Sequence, residues 1–222
     1  MDHPIHEIDW RADRVPVSRR FDDPFFSLED GLAETRHVFL SGNDLPTRFR
    51  PGFHIAELGF GTGLNLVAAA LAWEAAGIEG PLSFTSFEAF PLSGADARAA
   101  LAAFPEAAPL ADEIAAALEG DGRIETATLS ARIVFGDARQ TVPAWQGMAG
   151  AWFLDGFAPA RNPELWEPAL LGAVAAHTLP GGTCATYSAA GHVRAALADA
   201  GFTVTRVPGY GRKRHMTRGL LA

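Results

Sequence analysis

The chain has 222 residues, 48% hydrophobic and 20% charged, a composition that excludes a disordered protein and allows one sizeable buried core. Its 18 basic and 26 acidic residues give a net charge of −8, which argues against binding nucleic acid over the whole surface. Cys184 is the one cysteine, which excludes an internal disulfide and a cysteine-based zinc site. We therefore expect Cys184 to be a packed core residue, and we expect no metal site.

The amino terminus is polar and acidic, unlike a secretory signal. The most apolar helical window, Leu66 to Trp73, is much shorter than the roughly 20 residues that a membrane span requires. These features predict a cytoplasmic protein without a membrane partner.

The first fifty residues differ from the rest because they are rich in proline, aromatic residues and mixed charges. They predict a small cap of strands and loops, residues 1–50, that covers one edge of a core formed by residues 51–222. We expect the cap and the core to form a single domain.

From residue 54 onward, patterns of buried strands and helices alternate. Strands are predicted at 54–58, 82–88, 133–135, 151–154, 183–187, 202–207 and 216–221, and an additional one at 123–129. Helices are predicted at 64–76, 94–104, 110–118, 163–178 and 190–200. This alternation predicts an α/β fold with a mostly parallel sheet and helices on both faces.

The turn after the first of these strands contains glycines at alternate positions, Gly59, Gly61 and Gly63, followed directly by a helix. Glycines there allow positive φ and a close approach of the backbone to a ligand, next to the free N–H groups of the helix. The spacing is GxGxG instead of the GxGxxG of dinucleotide-binding enzymes, and Glu57 stands two residues before it. This pattern favours S-adenosylmethionine over a nicotinamide cofactor, although such a turn also occurs for close packing alone.

Polar residues follow the next two strands as well. Glu88 ends the second strand, where a carboxylate accepts hydrogen bonds from ribose hydroxyls, and Asp137, beside Ala138, follows the third, where it accepts from an adenine amino group. Taken singly, each acid is more often an exposed surface residue or a helix cap than a ligand contact. Together with the glycine turn they predict an adenosyl cofactor at the carboxyl edge of the sheet.

The fourth strand ends in Asp155-Gly156-Phe157-Ala158-Pro159. Phe157 is suited to stacking on a flat base, and Pro159 stiffens the loop. The alternative is a simple turn in which Phe157 fills the core. Near the carboxyl terminus, from Gly201 to Ala222, there is no acidic residue, and Arg212, Lys213 and Arg214 form a basic cluster.

Several segments together resemble one family over nearly the whole chain. The segments are 26–27, 31–36, 38–40, 57–65, 88 with 90–92, 152–160, 162–166 and 209–214. They are similar to the methyltransferase domain of the bifunctional bacterial enzymes that complete 5-methylaminomethyl-2-thiouridine at the tRNA wobble position. The chain departs from the family at His37 and His215, where a tyrosine and an acid are usual.

The resemblance implies a Rossmann-like class I S-adenosylmethionine-dependent methyltransferase fold, with Glu57, Phe60 and Asn65 also at the cofactor. It implies methyl transfer to the amine of 5-aminomethyl-(2-thio)uridine at position 34 in the tRNA anticodon stem-loop. Asp155, with an ordinary pKa near 3.9, would orient the amine as the catalytic residue and would be a weak base. Arg212, Lys213 and Arg214 would contact anticodon-stem phosphates.

The chain ends before the flavin-dependent oxidase domain of that family, so we expect a stand-alone transferase that binds no flavin. The alternatives are a methyltransferase for a small-molecule amine, a nicotinamide-dependent oxidoreductase and a non-catalytic binding module.

Overall fold

A computed structural model describes residues 5–11, 15–27, 30–211 and 213–222. Within these residues the strands are β1 Ile8–Arg11, β2 Val15–Ser18, β3 Asp23–Pro24, β4 His54–Leu58, β5 Leu82–Glu88, β6 Arg123–Glu125, β7 Leu129–Phe135, β8 Ala149–Leu154, β9 Thr178–Thr186, β10 Phe202–Pro208 and β11 His215–Leu221. The α-helices are α1 Gly31–Thr35, α2 Leu64–Ala76, α3 Gly94–Leu101, α4 Ala108–Glu119, α5 Ala138–Ala144, α6 Pro168–Ala176 and α7 Gly191–Asp199.

Eight of the described strands form one sheet in the order β10-β11-β9-β8-β4-β5-β7-β6. The five strands from β9 to β7 are parallel to one another, and the outer pairings are antiparallel. The chain runs outward from β4 to β5 and β7, then returns to β8 on the other side of β4. The strand order therefore reverses between β4 and β8, and ligands of open α/β sheets bind at the carboxyl ends of such strands.

Helices cover both faces of the sheet, so both faces are buried. Side chains of successive strand residues point to opposite faces and therefore enter two different clusters. In β8, Phe153 packs in the hydrophobic cluster that includes α2, whereas Trp152 and Leu154 pack in the cluster that includes α6 and α7. Cys184 in β9 is buried, and this burial raises the pKa of its thiol to about 12. The prediction that Cys184 is a core residue is confirmed.

The mostly parallel α/β sheet is confirmed, and β4, β5 and α2 have the predicted bounds. Other bounds differ: β7 begins at Leu129, earlier than predicted, and β6 ends at Glu125. The helix predicted at 163–178 is a 3₁₀ turn, Pro163–Trp166, followed by α6. A break there is expected because Pro168 has no N–H and disfavours helical geometry in the residue before it.

The first fifty residues contain the three-stranded antiparallel sheet β1-β2-β3, but residues 31–43 are helical. The prediction of strands and loops is wrong for this part. Asp30 starts α1 by accepting a hydrogen bond from the backbone N–H of Ala33 at 2.9 Å. Val38 and Phe39 follow in a π-helical turn and pack into the core cluster that contains α2, so tertiary packing stabilises the segment.

Candidate cofactor and acceptor site

A cavity of about 830 Å³ opens at the carboxyl ends of the central strands, within the size range of small-ligand sites. Ten of the residues predicted for the site line it: Gly59, Phe60, Gly61, Asn65, Glu88, Asp137, Ala138, Asp155, Phe157 and Lys213. Four others, Glu57, Gly63, Pro159 and Arg214, are not among its lining residues. Arg212 lies outside the described residues.

The glycine turn brings the loops after β4 and β8 together. Gly59 has φ +84°, and a Cβ atom there would lie 2.0 Å from the carbonyl oxygen of Asp155. Gly63 has φ +83° and precedes α2, and its missing Cβ makes room for Ile114 and the ring of Phe60. Gly59 thus allows contact between the two loops, whereas Gly63 serves the packing beneath the turn.

Glu88 is fixed against the glycine turn by its two carboxylate oxygens. Oε2 accepts a hydrogen bond from the backbone N–H of Gly61 at 3.1 Å, and Oε1 accepts one from Phe90 at 2.7 Å. Each carboxylate oxygen has a further lone pair for a ligand hydroxyl. The position and orientation of Glu88 fit the ribose contact predicted from the sequence.

Asp137 caps α5 and lies on the cavity wall. Its Oδ1 accepts a hydrogen bond from the backbone N–H of Arg139 at 2.9 Å, and the Arg139 guanidinium lies 2.7 Å from Oδ2. The hydrogen bond from Arg139 lowers the pKa of the Asp137 carboxyl group. Asp137 is therefore an ion-paired helix cap, and its contact with adenine stays a prediction.

Asn65 joins two carboxyl groups at the base of the cavity. Its Nδ2 donates to Glu57 Oε1 at 2.8 Å and to Asp155 Oδ2 at 2.6 Å, while its Oδ1 accepts from Thr35 Oγ1 at 3.0 Å. Glu57 is completely buried, and its Oε2 accepts from Ser86 Oγ at 2.6 Å. Glu57 was predicted to contact the cofactor, but the structure places it behind Asn65, where it positions the amide.

The two carboxyl groups bind protons more tightly than ordinary acids. Burial raises the pKa of Asp155 to about 7, although the hydrogen bond from Asn65 and the charge of Lys213 oppose the shift. Burial also raises the pKa of Glu57 well above its usual range. The expectation of an ordinary pKa for Asp155 is therefore wrong, because the sequence does not show how far the side chain is removed from water.

This shift makes folding stability depend on pH. Unfolded Asp155 loses its proton near pH 4, whereas the folded protein keeps it until about pH 7, so raising the pH across this interval favours the unfolded chain. We expect the free energy of unfolding of the wild type, minus that of Asp155→Asn, to fall between pH 4 and 7. Urea denaturation of both proteins at several pH values measures it. A difference that stays constant over this range would contradict the raised pKa.

Phe157 lies in an aromatic cluster between the sheet and the amino-terminal strands. Its ring stacks on Phe21 at a centroid distance of 4.8 Å and meets the edge of Phe25 at 5.1 Å. The indole N–H of Trp166 donates to its backbone carbonyl at 3.0 Å. Phe157 therefore holds the cap against the loop after β8, in addition to lining the cavity. Base stacking by Phe157 stays a prediction.

The basic cluster is divided between the cavity and the surface. Lys213 was expected on a phosphate-binding surface, but its Nζ lies 2.9 Å from Glu34 Oε1 within the cavity lining. Arg214 is exposed, as is His215 at the start of β11. His37 lies 5.7 Å from Tyr210, measured between ring centroids, beside the same hairpin. The sequence does not show the pairing of Lys213 with an acid far away in the chain, and phosphate contact by Lys213 stays a prediction.

Sequence reasoning missed several lining residues, among them Phe25, Glu34 and Tyr187. Tyr187 directly follows β9 and donates a short hydrogen bond from its hydroxyl group to the carbonyl oxygen of Gly156. The rule that ligands bind at carboxyl ends of strands could have identified Tyr187. Glu34 lies in the segment 31–36 that resembles the family, but the sequence assigns it no role, and no comparable signal marks Phe25.

A scan against protein-family models places residues 102–222 in a family of S-adenosyl-L-methionine-dependent methyltransferases. The chain belongs to this family. This methyltransferase is 43% identical, over 99% of its own length, to the tRNA 5-methylaminomethyl-2-thiouridine biosynthesis bifunctional protein MnmC of Stutzerimonas stutzeri. The chain spans about a third of the length of the curated relatives it matches.

Solved structures support the same fold for the methyltransferase. A crystal structure of MnmC2 from Aquifex aeolicus is 27% identical, with a TM-score of 0.77 over 98% of this chain and 71% of that one. A spermidine synthase in complex with the transition-state analogue AdoDATO matches with a TM-score of 0.60 over 100% of this chain and 72% of that one, at 13% identity. The second likeness concerns the fold alone. The Rossmann-like class and the cofactor predicted from the sequence are confirmed.

The residues at the cavity fit an adenosyl cofactor. The glycine turn exposes backbone groups next to the start of α2. Glu88, at the end of β5, faces this turn, and Asp137 and Ala138 line the cavity just after β7. When bound, S-adenosylmethionine supplies a methyl group on a positively charged sulfur. Among the described residues, no helix is both long and apolar enough to cross a bilayer.

Proposed function

We propose that this methyltransferase methylates the primary amine of 5-aminomethyl-(2-thio)uridine at tRNA wobble position 34, which gives 5-methylaminomethyl-(2-thio)uridine. The observation that carries the proposal is Asp155, which lies on the wall of the cofactor cavity with its pKa raised to about 7 by burial. The named relatives, which the chain matches over nearly its whole length, support tRNA as the substrate. We accordingly place the protein in the cytoplasm, where tRNA is modified.

Asp155 has the chemistry that methylation of an amine requires. An aminomethyl group is protonated at neutral pH and must lose a proton before its nitrogen lone pair attacks. Asn65 holds Oδ2 of Asp155, which leaves Oδ1 to accept a hydrogen bond, and then the proton, from the amine. Because the pKa of Asp155 is about 7, its carboxylate accepts the proton of the ammonium group far more easily than an ordinary carboxylate would. Holding the nitrogen in line for displacement supplies a further part of the rate.

The cavity also has the features expected for a base turned out of an anticodon loop. Aromatic side chains of Phe25 and Phe157 line it, and Arg20 contributes a cation at its wall, 4.2 Å from the centroid of the Phe90 ring. Exposed Arg214, together with Arg212, remains a proposed contact of anticodon-stem phosphates.

Incubation of the purified protein with labelled cofactor and tRNA from a strain that lacks the endogenous enzyme tests the function. We expect mass spectrometry of the digested nucleosides to show loss of 5-aminomethyl-(2-thio)uridine and gain of its methylamino product. If the tRNA gains no label from the cofactor while small primary amines are methylated efficiently, the proposal is contradicted and the small-molecule alternative is favoured.

A further inference from the structure

The cavity contains a cation-binding position, which the ammonium group of Lys213 occupies. Lys213 Nζ lies 2.9 Å from Glu34 Oε1 and 3.9 Å from the centroid of the Tyr187 ring. A carboxylate and the face of an aromatic ring are both favourable partners of an ammonium group. All three residues line the same cavity as Asp155, the candidate catalytic residue. The cation-binding position therefore lies on the acceptor side of the cavity, the side where the substrate amine is proposed to bind.

The partners of this cation are held in position by the fold. The side chain of Glu34 is 14% exposed, and a carboxylate so removed from water requires a positive partner. The Tyr187 ring is fixed by the hydrogen bond from its hydroxyl group to the carbonyl of Gly156, the residue after Asp155. The charges of Glu34 and Lys213 shift the pKa of Asp155 in opposite directions, so both act at the candidate catalytic group.

Lys213 itself is less firmly held than its partners. It lies in the connection between β10 and β11, outside both strands, and its side chain is 45% exposed. Ion pairs with a half-exposed partner are weak, so exchange for another cation costs little. The lysine side chain ends in a methylene group and an ammonium group, which is the same chemical group as a protonated aminomethyl substituent.

We propose that Glu34 and Tyr187 form the subsite for the protonated aminomethyl group of the acceptor, and that Lys213 fills this subsite until the acceptor displaces it. The identity of the acceptor rests on the proposed function, which this inference extends by assigning the recognition of its charge. The subsite selects an amine over an uncharged hydroxyl group and delivers its proton next to Asp155. Lys213 is therefore a competitor for the acceptor.

Calorimetric binding of 5-aminomethyluridine and of its neutral analogue 5-hydroxymethyluridine, with S-adenosylhomocysteine present, tests this inference. We expect Lys213→Met to bind the amine about tenfold more tightly than the wild type. This factor corresponds to a wild-type protein in which Lys213 fills the subsite in about nine-tenths of the molecules, so that about one-tenth are free to bind the amine. Binding of the hydroxyl analogue should not change. Arg206→Met removes a positive charge from an exposed residue of β10, in the same hairpin but outside the cavity lining, and should bind both nucleosides as the wild type does.

The partners of Lys213 give the complementary result. Glu34→Gln should abolish the preference for the amine over the hydroxyl analogue. Tyr187→Phe, which keeps the ring, should retain this preference, and Tyr187→Leu should reduce it. Lys213 belongs to the partly exposed hairpin, so Lys213→Met is expected to fold even where a Glu34 or Tyr187 variant does not.

The inference is overturned if Lys213→Met leaves amine binding unchanged or weakens it, or if Arg206→Met tightens it equally. It is also overturned if folded Glu34→Gln keeps the preference for the amine. Methylation of tRNA by the wild type is measured separately. Methylated tRNA with an unaltered preference in Glu34→Gln refutes the subsite alone, whereas the expected binding pattern without tRNA methylation refutes the proposed function alone.

Discussion

Replacing Asp155 with asparagine is expected to lower the turnover number about 10²- to 10³-fold, the usual effect of losing a proton acceptor or an electrostatic partner of the transition state. The amide is similar in size and still offers an oxygen to the substrate amine, but it does not take up a proton. Binding of S-adenosylhomocysteine should change by less than about threefold, because the predicted cofactor contacts are other residues. Single-turnover kinetics and calorimetry measure the two quantities.

Asp137→Asn is the matched control for this experiment. Asp137 lines the same cavity, but it is an ion-paired cap of α5 at the predicted adenine position. We expect this substitution to weaken cofactor binding and to leave the single-turnover rate at saturating cofactor nearly unchanged. A folded Asp155→Asn protein with wild-type turnover would exclude the proposed role of Asp155.

Replacing Gly59 with alanine is expected to destabilise the protein by more than about 3 kcal/mol and to abolish cofactor binding. The new Cβ atom would lie 2.0 Å from the carbonyl oxygen of Asp155, at a backbone φ of +84° that alanine adopts with strain. The loops after β4 and β8 would have to separate, which moves both the glycine turn and Asp155. Urea denaturation and titration with S-adenosylhomocysteine measure these effects.

Gly77→Ala separates strain from steric overlap. Gly77 ends α2 with φ +62°, and a Cβ atom there meets nothing within 4 Å. This substitution should cost about 1 kcal/mol and leave cofactor binding intact. If Gly59→Ala and Gly77→Ala lost equal amounts of unfolding free energy and of cofactor binding, the close approach of the two loops at Gly59 would be unimportant.

Much of the core fold follows from local sequence. The apolar run of β4, the glycines after it and the alanine-rich α2 lie next to one another in the chain, so their pattern predicts a strand, a turn and a helix with the observed bounds. Glu88 could be assigned for a similar reason, since it ends the next strand and carboxyl ends of parallel strands share one edge of a sheet.

The acceptor side was less predictable because its contacts join distant parts of the chain. The sequence does not reveal that Lys213 reaches Glu34, or that Phe21 stacks on Phe157. The raised pKa of Asp155 likewise depends on how completely the surrounding chain removes its carboxyl group from water. The helical form of residues 31–43 has the same origin, since packing on the core overrides weak local preferences.

The cavity is assembled from both ends of the chain, from His6 and Phe21 near its start to Tyr210 and Lys213 near its finish. During synthesis on the ribosome, the glycine turn and Glu88 emerge long before the hairpin that carries Lys213. A nascent chain at that stage has the elements of the cofactor cradle but lacks one wall of the acceptor side. The wall of the cavity that contains Lys213 therefore forms only after β10 and β11 have been translated and have joined the sheet.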